Sequence, residues 1–348
     1  MPRAHNLPHD AQAVHDAIHA IVTKIMRPLV RLPRAKFMHE AVSGLVRQRT
    51  LVQRDIARAL NETSKAPGTV ERRLTAHIND PSLAGSINTG LLSHGAPRVQ
   101  VYTPIAINLT DTQRRYAHAT PGAEANYDGS TGTPGWGYTH IGVTAVLAGD
   151  DGVEQLPLYQ ETYALEHTSA EHADEPLQIA SSYAQYERAV RALHDTLGGP
   201  VGIDVMDRGM DNRRCFGCEL HYCRWFLIRL CERRRKLRIA GMPEAVYPAD
   251  VPSHVHEWHT VFCRVFNKKT RTWRMQMCRI AWCTVLVEVQ YPDGSVAEAP
   301  LTLVIIRRGG RTMFLLTNLT IDDPADPVCL REDAVRNLSR ALGGGKLF

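Results

Sequence analysis

Residues 104–117 read PIAINLTDTQRRYA. Ile105, Ala106 and Ile107 form the short apolar run of a buried strand, which ends on Asn108, and Asp111 follows three residues later. Strand ends are where an α/β sheet delivers chemistry, because the backbone leaves the sheet there and side chains converge on a crevice. A carboxylate at such a place is a ligand for a hard divalent cation; the neutral amide of asparagine is a much poorer one. The stretch therefore reads as a site, a former site or a turn, and the sheet around it has to decide.

Working outward, residues 99–107 (VQVYTPIAI) and 138–148 (YTHIGVTAVLA) flank the turn-rich YDGSTGTPGWG at 127–137, which predicts a hairpin. That glycine-rich turn lacks the Gly-Lys-Ser/Thr ending of a phosphate loop. Residues 174–197 have helical spacing and stop at Gly198-Gly199-Pro200; VGIDVM then gives a continuous apolar strand that delivers Asp207. WFLIRL at 225–230 is a second buried strand, so helix followed by parallel strand predicts a mixed sheet. Residues 258–319 read as strand throughout, with a Pro-Asp-Gly turn at 292–294, and LREDAVRNLSRAL begins a last helix.

Upstream, FMHEAVSGLV, LVQRDIARAL and TVERRLTAHI space their apolar residues by three and four, which predicts a helical domain over residues 1–95. Two of these helices, split by Lys65-Ala66-Pro67-Gly68 with Thr69 as N-cap, read as a relative of the helix-turn-helix. In that reading Arg72 and Arg73 face phosphates or base edges; the alternative is a purely structural helical packing domain. The Gly-, Ser-, Asn- and Pro-rich stretch 79–97 reads as a linker.

With 348 residues the chain is long enough for two or three units, and no apolar run reaches the roughly 18 residues of a membrane span. The N-terminus carries acids and histidines where a secretory signal has an apolar core, and eight cysteines are too sparse for a disulfide scaffold. Both point to a reducing, cytoplasmic location. The net charge of +5 is unevenly spread: residues 1–80 hold thirteen Lys/Arg against seven Asp/Glu, and residues 213–238 hold nine against two. Concentrated basicity suits a polyanion such as DNA, the bland alternative being a solvated basic face.

PIAINLTDTQRRYA, YDGSTGTPGWGY, DVMDRGMDNRR, WFLIRL and LTLVIIRR followed by MFLLTNL together resemble the DDE transposases of bacterial insertion sequences, over about residues 36–340. The most specific element is Asp207-Arg208-Gly209 closing a buried strand, with Arg229 ending a strand downstream. The resemblance implies an α/β fold: an N-terminal helical DNA-binding domain, a ribonuclease-H-like core over 96–240, a β-rich insertion over 241–320 and the start of a C-terminal core helix over 321–348. It also implies Mg2+-dependent cutting of transposon ends and strand transfer, double-stranded DNA as partner, and a homodimer on paired ends.

Carried over by position, Asp207 matches the second catalytic acid and Asn108 occupies the place of the first. Asp111 matches a further aspartate often found three residues on, which leaves Asp207 and Asp111 as the metal-ligand pair; Asp204 is a weaker substitute. The family's third acid, a glutamate one turn beyond a Tyr-x-x-Arg-Trp pattern, has no counterpart, since Glu332 and Asp333 come too early and the sequence stops at Phe348. The expectation is a degenerate, truncated transposase with severely impaired catalysis, the alternative being a non-catalytic DNA-binding protein or transposition inhibitor. Arg208, Arg229, Arg233, Arg234, Arg235 and Lys236 are the phosphate contacts it implies beside the core, with Arg72 and Arg73 in the helical domain.

Two competing motifs are weaker. Cys215, Cys218, His221 and Cys223 approach a zinc set, but no second pair follows at knuckle spacing, and a helix over 213–223 would bury Cys215, Cys218 and Tyr222 on one face. His254, His256 and His259 miss the zinc-protease spacing by one residue, and Pro252 argues against a helix.

Overall fold

The computed structural model describes residues 7–26, 32–49, 52–60, 67–78, 80, 82–113, 124–128, 133–149, 152–163, 182–267 and 272–321. The chain divides into two compact units, Met1–Gly95 and Ala96–Phe348. No described helix is long and apolar enough to cross a membrane.

The first unit is helical: α1 (Leu7–Met26), α2 (Leu32–Gln48), α3 (Gln53–Ala59), α4 (Pro67–Ile78) and α5 (Leu83–Gly95). Phe37, Ile56, Ala57, Val70 and Leu74 form one core cluster and Ile18, Val22 and Met26 another, which accounts for the three-and-four spacing. Two expectations change here. Thr69 is not an N-cap, because α4 already begins at Pro67, the first-turn position where the missing N–H costs nothing. The stretch 83–95 is helix rather than linker, and its small residues serve contact: a Cβ on Gly90 would lie 2.1 Å from the Ile25 carbonyl oxygen. Only glycine lets α5 approach α1 that closely.

The second unit is built on a twelve-stranded mixed sheet. Its core is β1 (Pro104–Gln113), β3 (Thr133–Gly149) and β4 (Gly152–Tyr163) in an antiparallel meander, with β2 (Glu124–Asp128) also on β3; β5 (Ile203–Met206) and β6 (Trp225–Arg229) run parallel to β1. The order β4-β3-β1-β5-β6 combines antiparallel and parallel pairs, the mixed α/β sheet expected from the sequence. β1 pairs antiparallel with β3 from Ile105–Ala145 to Gln113–Gly137, as expected, but the stretch 127–137 read as their turn holds the end of β2 and the start of β3, so β2 intervenes and pairs with β3 itself.

The β-rich segment continues this sheet. Between it and β6 lie the short β7 (Leu237–Ile239) and β8 (Ala245–Val246); β9 (His259–Asn267), β10 (Thr272–Gln290), β11 (Val296–Arg308) and β12 (Arg311–Thr317) follow. β12 pairs antiparallel with β6, so the order runs on as β12-β11-β10-β7-β8, with β9 on the N-terminal half of β10. Helices α6 (Ser182–Leu197) and α7 (Arg213–His221) pack on one face, where Tyr186 reaches Met206 and Phe216 stacks on Phe226. The opposite face gathers Ile203, Val205, Leu227, Cys278, Ile280, Val304, Ile306 and Leu315. Gly198, with φ of 80°, ends α6 in the left-handed conformation that favours glycine.

Helix α7 lies directly on the sheet because Gly217 has no side chain: a Cβ there would sit 2.1 Å from the Gln290 carbonyl oxygen, a backbone atom that cannot swing away. Gly217→Ala is expected to destabilise the sheet unit by about 2–3 kcal/mol through overpacking, whereas Gly142→Ala, which meets nothing within 4 Å, leaves stability nearly unchanged. Chemical denaturation of the two variants checks this, and equal midpoints would refute the close contact.

Candidate functional site

β1 does not stop at Asn108. It continues to Gln113, and what stops is its pairing with β5, whose last matched couple is Ala106 with Val205. Asn108 lies two residues beyond Ala106 on β1 and Asp207 two residues beyond Val205, just past the end of β5, so regular alternation assigns both to the sheet face that carries Val205. On the far side of β1 the residue opposite Asn108 is Gly142, which puts no side chain beside the amide. The first and second candidate positions thus share a face and follow the same last matched couple.

Asp207 is exposed and extended, and it caps a 3-10 turn over Arg208–Met210: its Oδ1 accepts a hydrogen bond from the Gly209 amide at 2.8 Å. On the next strand Arg229 follows Ile228, the partner of Met206, and so lies beside Asp207. Burial, then the neighbouring Arg208 charge, lowers the Arg229 pKa, while Asp207 opposes the shift. One carboxylate and two guanidinium groups therefore share this strand end.

Asp111 is not part of it. Three residues beyond Asn108 on a regular strand, it belongs to the other face of β1, where it pairs in register with Thr139. Asp204 is also unavailable, for a different reason. It is fully buried on the helix-covered face, where Oδ2 and Oδ1 accept from Arg224 Nε and Nη2 at 2.9 and 2.8 Å. Arg224 Nη1 also donates to the carbonyls of Gly198, Gly199 and Val201. Beside this pair Glu219, buried on α7, accepts from the Tyr186 hydroxyl; burial, then the nearby Asp204 charge, raises its pKa well above the usual carboxylate range.

These placements test the Mg2+ reading. The strand end offers one carboxylate with one oxygen already used as a cap, plus a neutral amide, and the described residues hold no cluster of three His, Cys, Asp or Glu side chains. This donor set does not fit a Mg2+ pair, which needs carboxylate charge to hold a reluctantly dehydrating ion. Glu332 and Asp333 lie outside the described residues.

The basic run of 213–238 sorts by what each charge meets. Arg224 is buried, and Arg235 binds buried Asp211 through Nε at 2.6 Å while lying over the Phe216 ring, so neither serves as a phosphate contact. Arg213 and Arg238 pair with Glu288 and Glu298 of the neighbouring strands. Arg233 and Lys236 both lie over Tyr247, and Arg233 is 3.7 Å from Asp250. Arg208 and Arg234 are exposed. In the helical unit Arg72 is exposed, but Arg73 bonds Glu40 at 2.7 Å and ties α4 to α2. Sequence reading missed Asp211 and Arg224, because an isolated charge gives no sign of a buried partner far along the chain.

The zinc alternatives do not assemble. Cys215 and Cys218 are buried on α7, and burial pushes the Cys215 thiol up to about 12, so it packs as a neutral thiol rather than as a thiolate ligand. His259 begins β9 and stacks on Trp282, whereas His254 and His256 are exposed ahead of it.

No protein-family model matches the chain, and no curated protein matches it. Among solved structures it is similar to the NurA nuclease from Sulfolobus solfataricus, with 10% identity and a TM-score of 0.33 over 69% of this chain and 74% of that one. At that score the likeness carries no argument about this chain.

The buried acid gives a pH signature. Since the folded-state pKa of Glu219 is raised above its ordinary value near 4.5, its contribution to stability is fully present below that value and is lost as pH rises through the raised pKa. Glu219→Gln keeps the shape and removes the titration, so its melting temperature should fall less than that of the wild type as pH rises above the ordinary carboxylate range. Parallel pH profiles for the two proteins would overturn the assignment of a neutral buried acid.

Proposed function

We propose that this chain is a degenerate DDE-type transposase: a cytoplasmic protein that binds double-stranded DNA through a transposase-like core and does not cleave it. The observation that supports the reading is that Asn108 and Asp207 each lie two residues beyond the Ala106–Val205 couple at which the pairing of β1 with β5 ends. Asp207 keeps the carboxylate, Arg208 and Arg229 keep the positive charge that a phosphodiester needs beside it, and Asn108 replaces the charge that a two-metal site needs. Phosphate contacts from these arginines position a duplex without reading its sequence. Exposed Arg72 in the helical unit extends the same chemistry. A homodimer bridging paired element ends is the assembly this reading entails, and occupation of those ends without cutting is what makes such a protein an inhibitor of transposition.

The test is a binding and nicking assay on duplexes carrying the ends of the element. Binding should fall steeply with salt, and Arg208→Ala with Arg229→Ala should lower the log–log slope by about 0.9 for each phosphate that is no longer neutralised. With Mg2+ present neither the wild type nor Asn108→Asp should nick, because the substitution supplies two carboxylates and not the full set. Wild-type nicking that Asp207→Ala abolishes would sink the degenerate reading; failure to bind any duplex at low salt would sink the DNA reading as a whole.

A further inference from the structure

On the sheet face shared by Met275, Met277 and Arg279 of β10, the side chains differ in kind from the rest of the sheet. Arg279 stands directly opposite Arg307 of β11, and both are exposed. Like charges in directly opposed positions destabilise a strand pair. Arg213 and Arg238, by contrast, meet carboxylates, Glu288 and Glu298. Arg279 and Arg307 meet none among the described residues. They lie instead over one indole, that of Trp258, with the guanidinium carbons 5.2 and 4.4 Å from the ring centre. Trp258 is itself fixed, since its Nε1 donates to the Val255 carbonyl at 3.2 Å. Two cations held side by side by an aromatic surface, with their hydrogen-bonding edges unpaired, form a fork for an anion.

Apolar side chains continue the strip. Phe262 of β9 is 60% exposed and stands directly opposite Met277, which is 58% exposed; Met275 follows at 54%. Thr260, opposite Arg279, shares a face with Phe262, so the backbone positions that carry the arginine pair and the phenyl ring lie two residues apart along the strands, about 7 Å. Exposed aromatic and thioether surface beside paired cations is the composition of a stacking platform for single strands.

We infer that this face of β9, β10 and β11 binds single-stranded nucleic acid, with a phosphodiester on Arg279 and Arg307 and a base on Phe262 flanked by Met277. It is a separate site from the strand end at Asp207 and does not depend on the reading given to that site. Duplex DNA cannot present an unstacked base to Phe262, so the two sites are distinguished by their ligands.

The probe is a fluorescently labelled oligothymidylate, followed by anisotropy with full-length protein and compared with a labelled duplex of unrelated sequence. Phe262→Ala should weaken oligothymidylate binding about tenfold and leave duplex binding unchanged. The double variant Arg279→Gln, Arg307→Gln should weaken it at least as much and lower the salt slope by about 0.7 for each phosphate left without its cation. Unchanged oligothymidylate affinity in both variants overturns the inference, as does equal weakening of single-strand and duplex binding in Phe262→Ala. Should either variant fail to fold, ultraviolet cross-linking of oligothymidylate to wild-type protein decides instead. Adducts within 258–279 support the site, and their confinement to other peptides refutes it.

Discussion

A single buried ion pair organises the sheet unit. Arg224, fully buried, directs its planar fork at Asp204 and turns its remaining nitrogen to the carbonyls of Gly198, Gly199 and Val201. This joins the end of α6, the turn before β5, β5 itself and the residue that leads into β6. A carboxylate and a guanidinium out of water are tolerable only when nearly every polar atom finds a partner, and removal of either partner leaves an uncompensated charge. Here the geometry meets that demand, while burial and the Asp204 charge raise the pKa of Glu219 beside the pair and so favour its uncharged form. The Arg224 carbonyl in turn accepts from Asn318, whose side-chain oxygen takes the Phe226 amide, so the end of β12 is clasped to the start of β6.

This arrangement fixes what Asp207 can do. Alternation along β5 places Asp204 and Met206 against the helices and sends Ile203, Val205 and Asp207 to the other face. One aspartate of the DVMD stretch is therefore architectural and the other is left at the crevice. The structural aspartate is inert because its charge is matched at close range; the exposed one caps a turn through Oδ1 and acts electrostatically on Arg229.

Much of this was legible from the chain, for identifiable reasons. Continuous apolar runs such as VGIDVM and WFLIRL read as buried parallel strands because both faces of the sheet are covered there. The continuation of β1 through Thr110–Gln113 was not legible, since polar residues at a sheet margin look like a loop, and without it Asp111 could not be assigned to a face. The helix α5 was hidden because close helix contact selects the same small residues as a linker does. The basic run of 213–238 misled for the opposite reason: sequence counts charges, whereas partners from Asp204, Asp211, Glu288 and Glu298 arrive from elsewhere along the chain.

The long strand β10 lives in two environments. From Arg279 to Gln290 it is flanked by β11, and residues such as Val285, Val287 and Val289 are buried in the core; from Thr272 to Cys278 its only described partner is β9. A substitution in the first half of the strand touches few buried atoms, and exposed positions away from special contacts usually shift stability by less than about 0.5 kcal/mol. Exposed positions of the ribbon such as Met275 and Met277 thus contribute little to stability, whereas the sheet at its base contributes more. Whatever surface it presents can be rewritten over evolutionary time without renegotiating the fold.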